Sequence, residues 1–265
     1  MKKLALAVLI AACGVAGASD ASANAIVNVN NEFGVAVTGT LTNYQEHITP
    51  GPSDIESGWQ PGVNLKEDMM GHVFGLANVY FGLRYNFSSG GIAYQGAYQD
   101  GTPVDATDNG TFNRFVLRFG KGFLLTDRAM ITPYIAGGLQ LWNRNLRGPG
   151  GYTENYGAGL AGGGLLFQYA WTHRLVMGLN ADGFAVMDGY MNANSVGAGT
   201  ANFGNSAEEK LSLTADYRFA GPWHWYIGTS FTHFNYTGGP LIDAVEPSSS
   251  TNQLALVLGL AGSFA

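Results

Sequence analysis

Cysteine and charge are both scarce in this sequence of 265 residues. Cys13 is the only cysteine, so the chain can form no internal disulfide and has no set of thiols for a cysteine-based metal site. Charged residues make up 12% of the chain, against about 25% in typical soluble domains. The formal net charge is −6, which argues against nucleic-acid binding because that function needs a basic face.

Long apolar runs are missing as well. Beyond the first 23 residues, no stretch approaches the roughly 20 apolar residues of a transmembrane helix. Glycine is abundant, with 39 residues, and aromatic side chains make up 12% of the chain. Together these features are unusual for a soluble enzyme. They are typical of a membrane β-barrel, whose outer face is apolar and whose lumen is lined by small or polar side chains.

The start of the chain has the features of an export signal. Lys2 and Lys3 form a positive start, a short apolar run follows, and the Ala-Ser-Ala of residues 21–23 is an A-x-A cleavage site. We therefore expect residues 1–23 to be a cleaved signal peptide. Residues 24–265 would then form one mature domain, a length that suits a single barrel.

A lipoprotein signal is the alternative interpretation of the same segment. Residues 10–13, Ile-Ala-Ala-Cys, resemble the lipobox of bacterial lipoproteins. In that case Cys13 would be lipidated and would become the new N-terminus, whereas in the first interpretation it is removed with the signal peptide.

Apolar residues alternate with small or polar residues along most of the chain. In the clearest case Phe115, Leu117 and Phe119 share one face, and Arg114 and Arg118 share the other. Such alternation predicts strands with one apolar face. Ten segments follow the pattern: 33–41, 58–65, 78–87, 114–123, 131–144, 152–169, 175–182, 210–219, 223–236 and 253–264. The sequence predicts an all-β fold, a closed antiparallel transmembrane β-barrel of ten strands, with eight or twelve as alternatives.

The lengths of the connections fit a barrel with both termini in the periplasm. Three of the four connections expected there are short, and the fourth, residues 67–72, is longer. Three of the expected outer connections are long and rich in Gly, Asn, Asp, Ser and Thr: 88–110, 189–207 and 237–250. Short periplasmic turns and long outer loops are the asymmetry of bacterial barrels.

The last nine residues resemble the C-terminal signal of outer-membrane proteins. Gly259 and Phe264 match its glycine and its terminal aromatic residue, whereas Gly262 stands where a large apolar residue is usual and Ala265 follows the aromatic. With the ten strands, the chain is similar to small ten-stranded barrels such as omptin proteases and Opc-type adhesins. The resemblance implies a monomer in the outer membrane of a Gram-negative bacterium. Its partners would be outer-membrane lipid and, during insertion, the barrel-assembly machinery.

Charged side chains on the non-lipid faces of the strands are the candidate site. Six of them are predicted to line the lumen: Arg84, Arg114, Arg118, Asp182, Asp216 and Arg218. Two interpretations stay open, a salt-bridge network that fills the lumen and a selectivity lining for small solutes. A ten-stranded lumen is only a little wider than the side-chain-filled lumen of eight strands, which argues against a wide pore.

Aromatic residues near the predicted strand ends form a separate group. We expect them to anchor the barrel at the two membrane interfaces: Trp59, Tyr85, Phe87, Tyr152, Tyr156, Trp223, Trp225 and Tyr236.

The sequence does not contain the residue patterns of catalytic membrane barrels in complete form. The Asp-x-Asp and Asp-x-His pairs of omptin proteases are absent from the sequence. The His-x-Ser arrangement of outer-membrane lipid hydrolases has its nearest counterpart at His233, where Asn235 replaces the nucleophilic serine. The other histidines are scattered along the sequence: His47, His72, His173 and His224. This spacing does not suggest a metal site.

Two functional hypotheses follow. The first is a non-enzymatic barrel without a cofactor that acts in surface interaction or small-solute passage, with its extracellular partner or solute unidentified. The alternative is an outer-membrane hydrolase of lipid or peptide with an unrecognised site at the rim.

Overall fold

The structure is a computed structural model, and it describes four stretches of the chain: residues 21–49, 53–97, 101–148 and 150–264. Of the predicted signal peptide only residues 21–23 are among them, so Cys13 and its alternative lipidation lie outside the described residues. None of the helices in these stretches has the length and the apolar character needed to cross a membrane.

The described chain is almost entirely strand. One helix, α1, spans Ala21–Val29. Fourteen strands follow: β1 (Glu32–His47), β2 (Ile55–Val73), β3 (Leu76–Ala97), β4 (Pro103–Lys121), β5 (Phe123–Thr126), β6 (Ala129–Arg147), β7 (Thr153–Ala170), β8 (Leu175–Asn192), β9 (Thr200–Asn202), β10 (Ser206–Ala220), β11 (Trp223–Tyr236), β12 (Gly239–Pro240), β13 (Val245–Glu246) and β14 (Ser248–Ser263). A short 3₁₀ turn, Asn194–Val196, lies between β8 and β9.

Ten of these strands close into an antiparallel ring. Their order around the ring is β10, β11, β14, β1, β2, β3, β4, β6, β7 and β8, and β8 pairs with β10 to complete it. Closure leaves no edge with unpaired backbone groups, which a lipid environment could not satisfy. The predicted ten-stranded closed antiparallel barrel is confirmed.

The two faces of each strand differ as the alternation predicts. Outward side chains in the central part of the barrel are large and apolar, and many are exposed, such as Val37, Ile135 and Leu258. Inward side chains include buried polar residues such as Asn64 and Gln140. The barrel therefore has an apolar outer band that faces lipid and a polar lumen.

The strands extend beyond this apolar band on the outer side. On β1 the outward residues change from Leu41 to Asn43 and Gln45, and the strand continues to His47. Five residues at about 3.3 Å each carry it roughly 15 Å farther along its axis. The predicted outer loop 88–110 was therefore wrong, because β3 runs to Ala97 and β4 begins at Pro103.

The first periplasmic connection was also predicted wrongly. Residues 67–72 belong to β2, and the turn consists of Phe74 and Gly75. Both have positive φ, +49° and +80°, as in the two-residue turns that suit the twist of a hairpin. All four periplasmic turns are thus short, and the predicted asymmetry of loop length holds.

Helix α1 was not predicted, and it lies inside the periplasmic end of the barrel. Ile26 is fully buried and packs in a cluster with Met70, Tyr80 and Met130 of the barrel wall. The side chain of Asn31, directly after the helix, donates to the carbonyl of Met70 at 2.8 Å and accepts from its N–H at 2.9 Å. These contacts close the lumen at this end.

Aromatic side chains fill the lumen at the other end. This outer aromatic layer consists of Tyr44, Phe112, Trp142, Tyr156, Phe203, Phe234 and Tyr236. Ring centroids lie 5.1 Å apart in the pair Tyr44–Trp142 and 5.5 Å apart in the pair Tyr156–Tyr236, within the usual range for aromatic pairs. Tyr156 and Tyr236 were therefore placed wrongly in the interfacial group, since both are buried inside the barrel.

Candidate functional site

A chamber of about 190 Å³ lies in the lumen between α1 and the outer aromatic layer. Val29 and Asn30 line its periplasmic end, and Phe112 lines its outer end. If each water molecule needs roughly 15 Å³ of this volume, the chamber has room for about a dozen water molecules. Its walls carry most of the charged residues that the sequence predicts for the lumen.

Lys66 is at the centre of the periplasmic charge cluster. Its ammonium group forms an ion pair with Glu32, lies 3.4 Å from Asp216 and stands 3.9 Å from the ring centroid of Tyr226. Asp216 is also 2.5 Å from Nδ1 of His224. Because all these groups are shielded from solvent, each charge depends on its partners for stabilisation.

The same cluster has a geometry that could be mistaken for a metal site. Ligand atoms of Glu32, Asp216 and His224 all lie within 4.8 Å of one another. Nothing in the spacing of the histidines along the sequence indicates that His224 lies beside these carboxylates. The ammonium group of Lys66 contacts both carboxylates, so a cation already occupies the position between them.

Arg84 forms the next ion pair along the wall. Its Nη2 donates to both carboxylate oxygens of Asp68, at 2.7 and 2.8 Å. The hydroxyl of Tyr80 donates to the same carboxylate at 2.6 Å. Asp68 is therefore held by two donors and in turn fixes the position of the guanidinium group.

Arg118 and Asp182 meet across the lumen. Nη2 of Arg118 lies 3.1 and 3.2 Å from the two carboxylate oxygens, and the hydroxyl of Tyr134 donates to Asp182 as well. A Cβ atom on Gly164 would lie 2.7 Å from Cζ of Tyr134. The glycine thus leaves the space that the tyrosine ring needs, in agreement with the close packing expected for this run of glycines.

Arg114 makes an ion pair with Glu208, again across the lumen, and its guanidinium group lies 5.1 Å from the ring centroid of Phe184. Lys210 follows Glu208 by two residues and also lines the chamber. Among the described residues, Lys210 makes no ion pair.

The structure brings together five of the six predicted lumen residues. Four of them line the chamber: Arg84, Arg114, Arg118 and Asp216. The fifth, Asp182, is the ion-pair partner of Arg118. Arg218 lies at the periplasmic end of β10, opposite His224 in the strand register, and is outside the chamber lining. Arg84 and Arg114 lie far from the outer strand ends, because β3 extends to Ala97 and β4 begins at Pro103.

Several charged residues of the chamber were missed from the sequence: Glu32, Lys66, Asp68, Glu208 and Lys210. Lys66 and Asp68 continue the inward register of Asn64 on β2. Extending the alternation past Leu65 would have found both. Their ion-pair partners could not be identified by extending the alternation, because these partners are distant in the sequence.

A second group of charges lies beyond the chamber, above the outer aromatic layer. Arg144 is its central cation, and three carboxylates surround the guanidinium group: Glu56 at 2.6 Å, Glu154 at 2.5 Å and Glu46 at 3.2 Å. The hydroxyl of Tyr156 is 2.9 Å from Nη1 of Arg144. Burial raises the pKa of Glu46 to about 7 and that of Glu154 above its ordinary value, so these carboxyl groups are rich in oxygen acceptors but do not all carry a full negative charge at pH 7.

An open cavity of about 530 Å³, here called the outer vestibule, lies at this end of the barrel. Five carboxylates line it, beside apolar side chains from the outer loops such as Leu241: Glu46, Asp54, Asp105, Glu154 and Glu246. Burial, reinforced by the nearby Glu154 and Glu46, raises the pKa of Glu246 from its ordinary 4.5 to about 8. Glu246 is therefore mostly neutral at pH 7 and contributes little to the charge of the vestibule.

His233, the sequence-derived candidate for catalysis, lies in neither space. It is on the outward face of β11, where Nδ1 is 2.9 Å from Oδ1 of Asn252 and Nε2 is 3.2 Å from the amide of Asn235. Neither partner is a nucleophile or a carboxylate. The geometry offers this ring no group to activate.

Comparison with known proteins places the fold. No protein-family model matches the chain, and no curated protein matches its sequence. The solved structure of the outer membrane protease OmpT from Escherichia coli is similar, with a TM-score of 0.60 at 11% identity over 89% of this chain and 97% of that chain.

Two further solved structures match over most of their length but with lower TM-scores. The toluene transporter TodX of Pseudomonas putida has a TM-score of 0.38 at 12% identity, over 93% of this chain and 92% of that chain. The β domain of the Bordetella autotransporter Brka has a TM-score of 0.43 at 13% identity, over 88% and 100%.

The closed ring, its apolar outer band and the likeness to OmpT define the class of protein. The chain is an outer-membrane β-barrel, and the predicted location in the outer membrane is confirmed. At 11% identity the likeness shows the fold alone, so the activity of OmpT does not follow for this chain.

Proposed function

We propose that this protein is a non-enzymatic, monomeric surface protein that binds a cationic ligand in its outer vestibule. The observation that carries this proposal is the double closure of the lumen, by α1 at one end and by the outer aromatic layer at the other. With packed side chains at both ends of the lumen, the outer vestibule offers a ligand a large cavity that is open to the cell exterior.

The chemistry of the vestibule indicates the ligand. Carboxylates outnumber basic side chains among its lining residues, and Arg147 is the basic one. Apolar lining from the outer loops and tyrosines such as Tyr94 and Tyr152 would receive the hydrocarbon part of an organic cation. A ligand with two or more amino groups separated by methylene groups would match this mixture.

The two other functions considered have less support. Passage of solutes requires that both closures move. Hydrolysis of the serine type, for which His233 was the candidate, requires a nucleophilic side chain beside the histidine, and the partners of His233 do not include one. The likeness to the protease OmpT concerns the fold and supplies no catalytic group to this chain.

Calorimetric titration of the folded protein in detergent with spermidine tests the proposal. We expect one binding event that weakens as salt is raised, because exposed charges are screened. Asp54→Asn should weaken binding about tenfold, which corresponds to roughly 1.4 kcal/mol. Asp243→Asn is the matched control, since Asp243 is an exposed outer-loop carboxylate that does not line the vestibule.

The outcomes separate clearly. Absence of spermidine binding by the unaltered protein, or equal weakening by Asp54→Asn and Asp243→Asn, would overturn the vestibule as the site. Cleavage of a peptide or lipid by the purified protein would instead support the hydrolase alternative.

A further inference from the structure

The lumen chamber contains a cation without a partner. Lys210 is on the inward face of β10, and its side chain lines the chamber. The other lining cations each pair with a carboxylate: Lys66 with Glu32, Arg84 with Asp68, Arg114 with Glu208 and Arg118 with Asp182. Within the part of the chain that the structure describes, Lys210 makes neither an ion pair nor a hydrogen bond.

The carboxylates nearest to Lys210 in the sheet are already engaged. Glu208 is two residues away on the same face of β10, and Asp182 is directly opposite Lys210 on β8. Their partners, Arg114 and Arg118, reach them from β4 across the lumen. One patch of wall therefore holds three cations and two carboxylates.

This patch also contains buried polar atoms without a hydrogen-bond partner. They are the Nε atoms of Arg114 and Arg118 and the Oε2 atom of Glu208, so two donors and one acceptor are unpaired. Ser212, the next inward residue on β10, adds a hydroxyl group to the chamber lining, whereas the hydroxyl of Thr214 donates to the carbonyl of Gly178 at 3.5 Å. A buried donor without an acceptor costs about 1–3 kcal/mol, so a ligand rich in oxygen acceptors would be stabilised here.

We propose that the chamber binds one small oxyanion beside Lys210. The excess positive charge of the patch supplies the attraction, and the unpartnered donors supply the directional contacts. The volume of about 190 Å³ admits an anion of the size of phosphate with a few waters and excludes large ligands. This site is separate from the outer vestibule and opposite to it in charge preference.

Equilibrium dialysis with radiolabelled inorganic phosphate tests this site. Folded protein in detergent is incubated for days, because both ends of the lumen are closed and exchange through them is expected to be slow. We expect about one phosphate for each chain. Lys210→Met and Lys210→Gln should each lower retention at least tenfold, whereas Lys210→Arg, which keeps the charge, should preserve it.

Lys121→Met is the matched control. Lys121 is at the periplasmic end of β4, donates to the carbonyl of Ala77 at 2.7 Å and does not line the chamber. Its substitution should leave retention unchanged. Folding of every variant is checked by the difference in gel mobility between heated and unheated samples. Retention no greater than in protein-free micelles, or folded Lys210→Met that retains as much phosphate as the unaltered protein, would refute the site.

Discussion

The hydroxyl of Tyr156 on β7 donates a hydrogen bond of 2.6 Å to Glu246 in the last outer loop. This bond ties the loop to the barrel wall at the floor of the outer vestibule. A carboxylate oxygen of Glu154 lies 3.0 Å from the same hydroxyl oxygen, and because a phenol has one proton the two carboxyl groups compete for it. The bond from Tyr156 favours the ionised form of Glu246, but burial and the nearby Glu154 and Glu46 favour the neutral form and outweigh it. The protonation of Glu246 should therefore control how firmly the loop is held.

The loop should loosen as the pH rises through about 8. The pKa of Glu246 is raised on folding from 4.5 to about 8, so the docked loop favours the neutral carboxyl. Its stabilising contribution is complete below pH 4.5, declines as the pH rises and is lost above about 8. Hydrogen exchange of residues 237–247 between pH 5 and 9, corrected for intrinsic rates, should show decreasing protection. Glu246→Gln should remove this dependence, and unchanged protection in the unaltered protein would contradict the expectation.

Arg144 should be essential for the stability of the outer end. It is buried, and its removal would leave three carboxylates without their cation. Loss of one partner of a buried ion pair costs about 3–5 kcal/mol. Arg144→Met should lower the free energy of unfolding in urea by this amount. Arg147→Met, at an exposed position on the same strand, should change it little, and equal effects of the two substitutions would argue against the cluster.

The unaltered protein should show no steady conductance in planar bilayers. Helix α1 and the outer aromatic layer each fill one end of the lumen, so opening one end alone should not produce conductance. Trp142→Ala with Phe234→Ala removes part of the outer aromatic layer and should leave the barrel closed. Adding Ile26→Asp, which undocks α1, should produce conductance steps. Steps from the unaltered protein would show that the lumen is already open.

The docking of α1 can be tested separately. Ile26 is fully buried against the barrel wall, so Ile26→Asp would bury an unpaired charge or release the helix. We expect faster hydrogen exchange in residues 25–29. Asn28→Asp adds the same charge at a partly buried position of the helix and should leave the exchange nearly unchanged. Similar exchange in both variants would mean that the helix is not held by this contact.

The barrel itself could be predicted from the sequence because lipid imposes a simple rule on the central part of each strand. Leu254, Leu256 and Leu258 face outward and their neighbours face inward, so the alternation is visible without knowledge of partners. Beyond the membrane, outward side chains face water and need not be apolar, so the rule no longer applies. Asn43 and Gln45 face water, and the alternation of polarity that marks a strand is lost there, which is why the strands were predicted too short.

The site was less predictable for a different reason. The charges of Arg114 and Arg118 could be assigned to the lumen by register alone. Their partners, Glu208 and Asp182, are 94 and 64 residues away in sequence, and only the order of strands around the ring brings them together. Helix α1 was missed because its first residues also form the predicted signal cleavage site.

The pairing of β1 with β14 has a consequence for biogenesis. These are the first and last strands of the barrel, and they join over the full register from Glu32–Ser263 to His47–Ser248. The ring therefore cannot close until the final strand is available, and a chain released before Ser248 would present two open edges. Only Asn30 and Asn31 separate α1 from β1, so the helix is tethered directly beside this seam. The last pairing that the chain can complete is thus the one that lies next to its first helix.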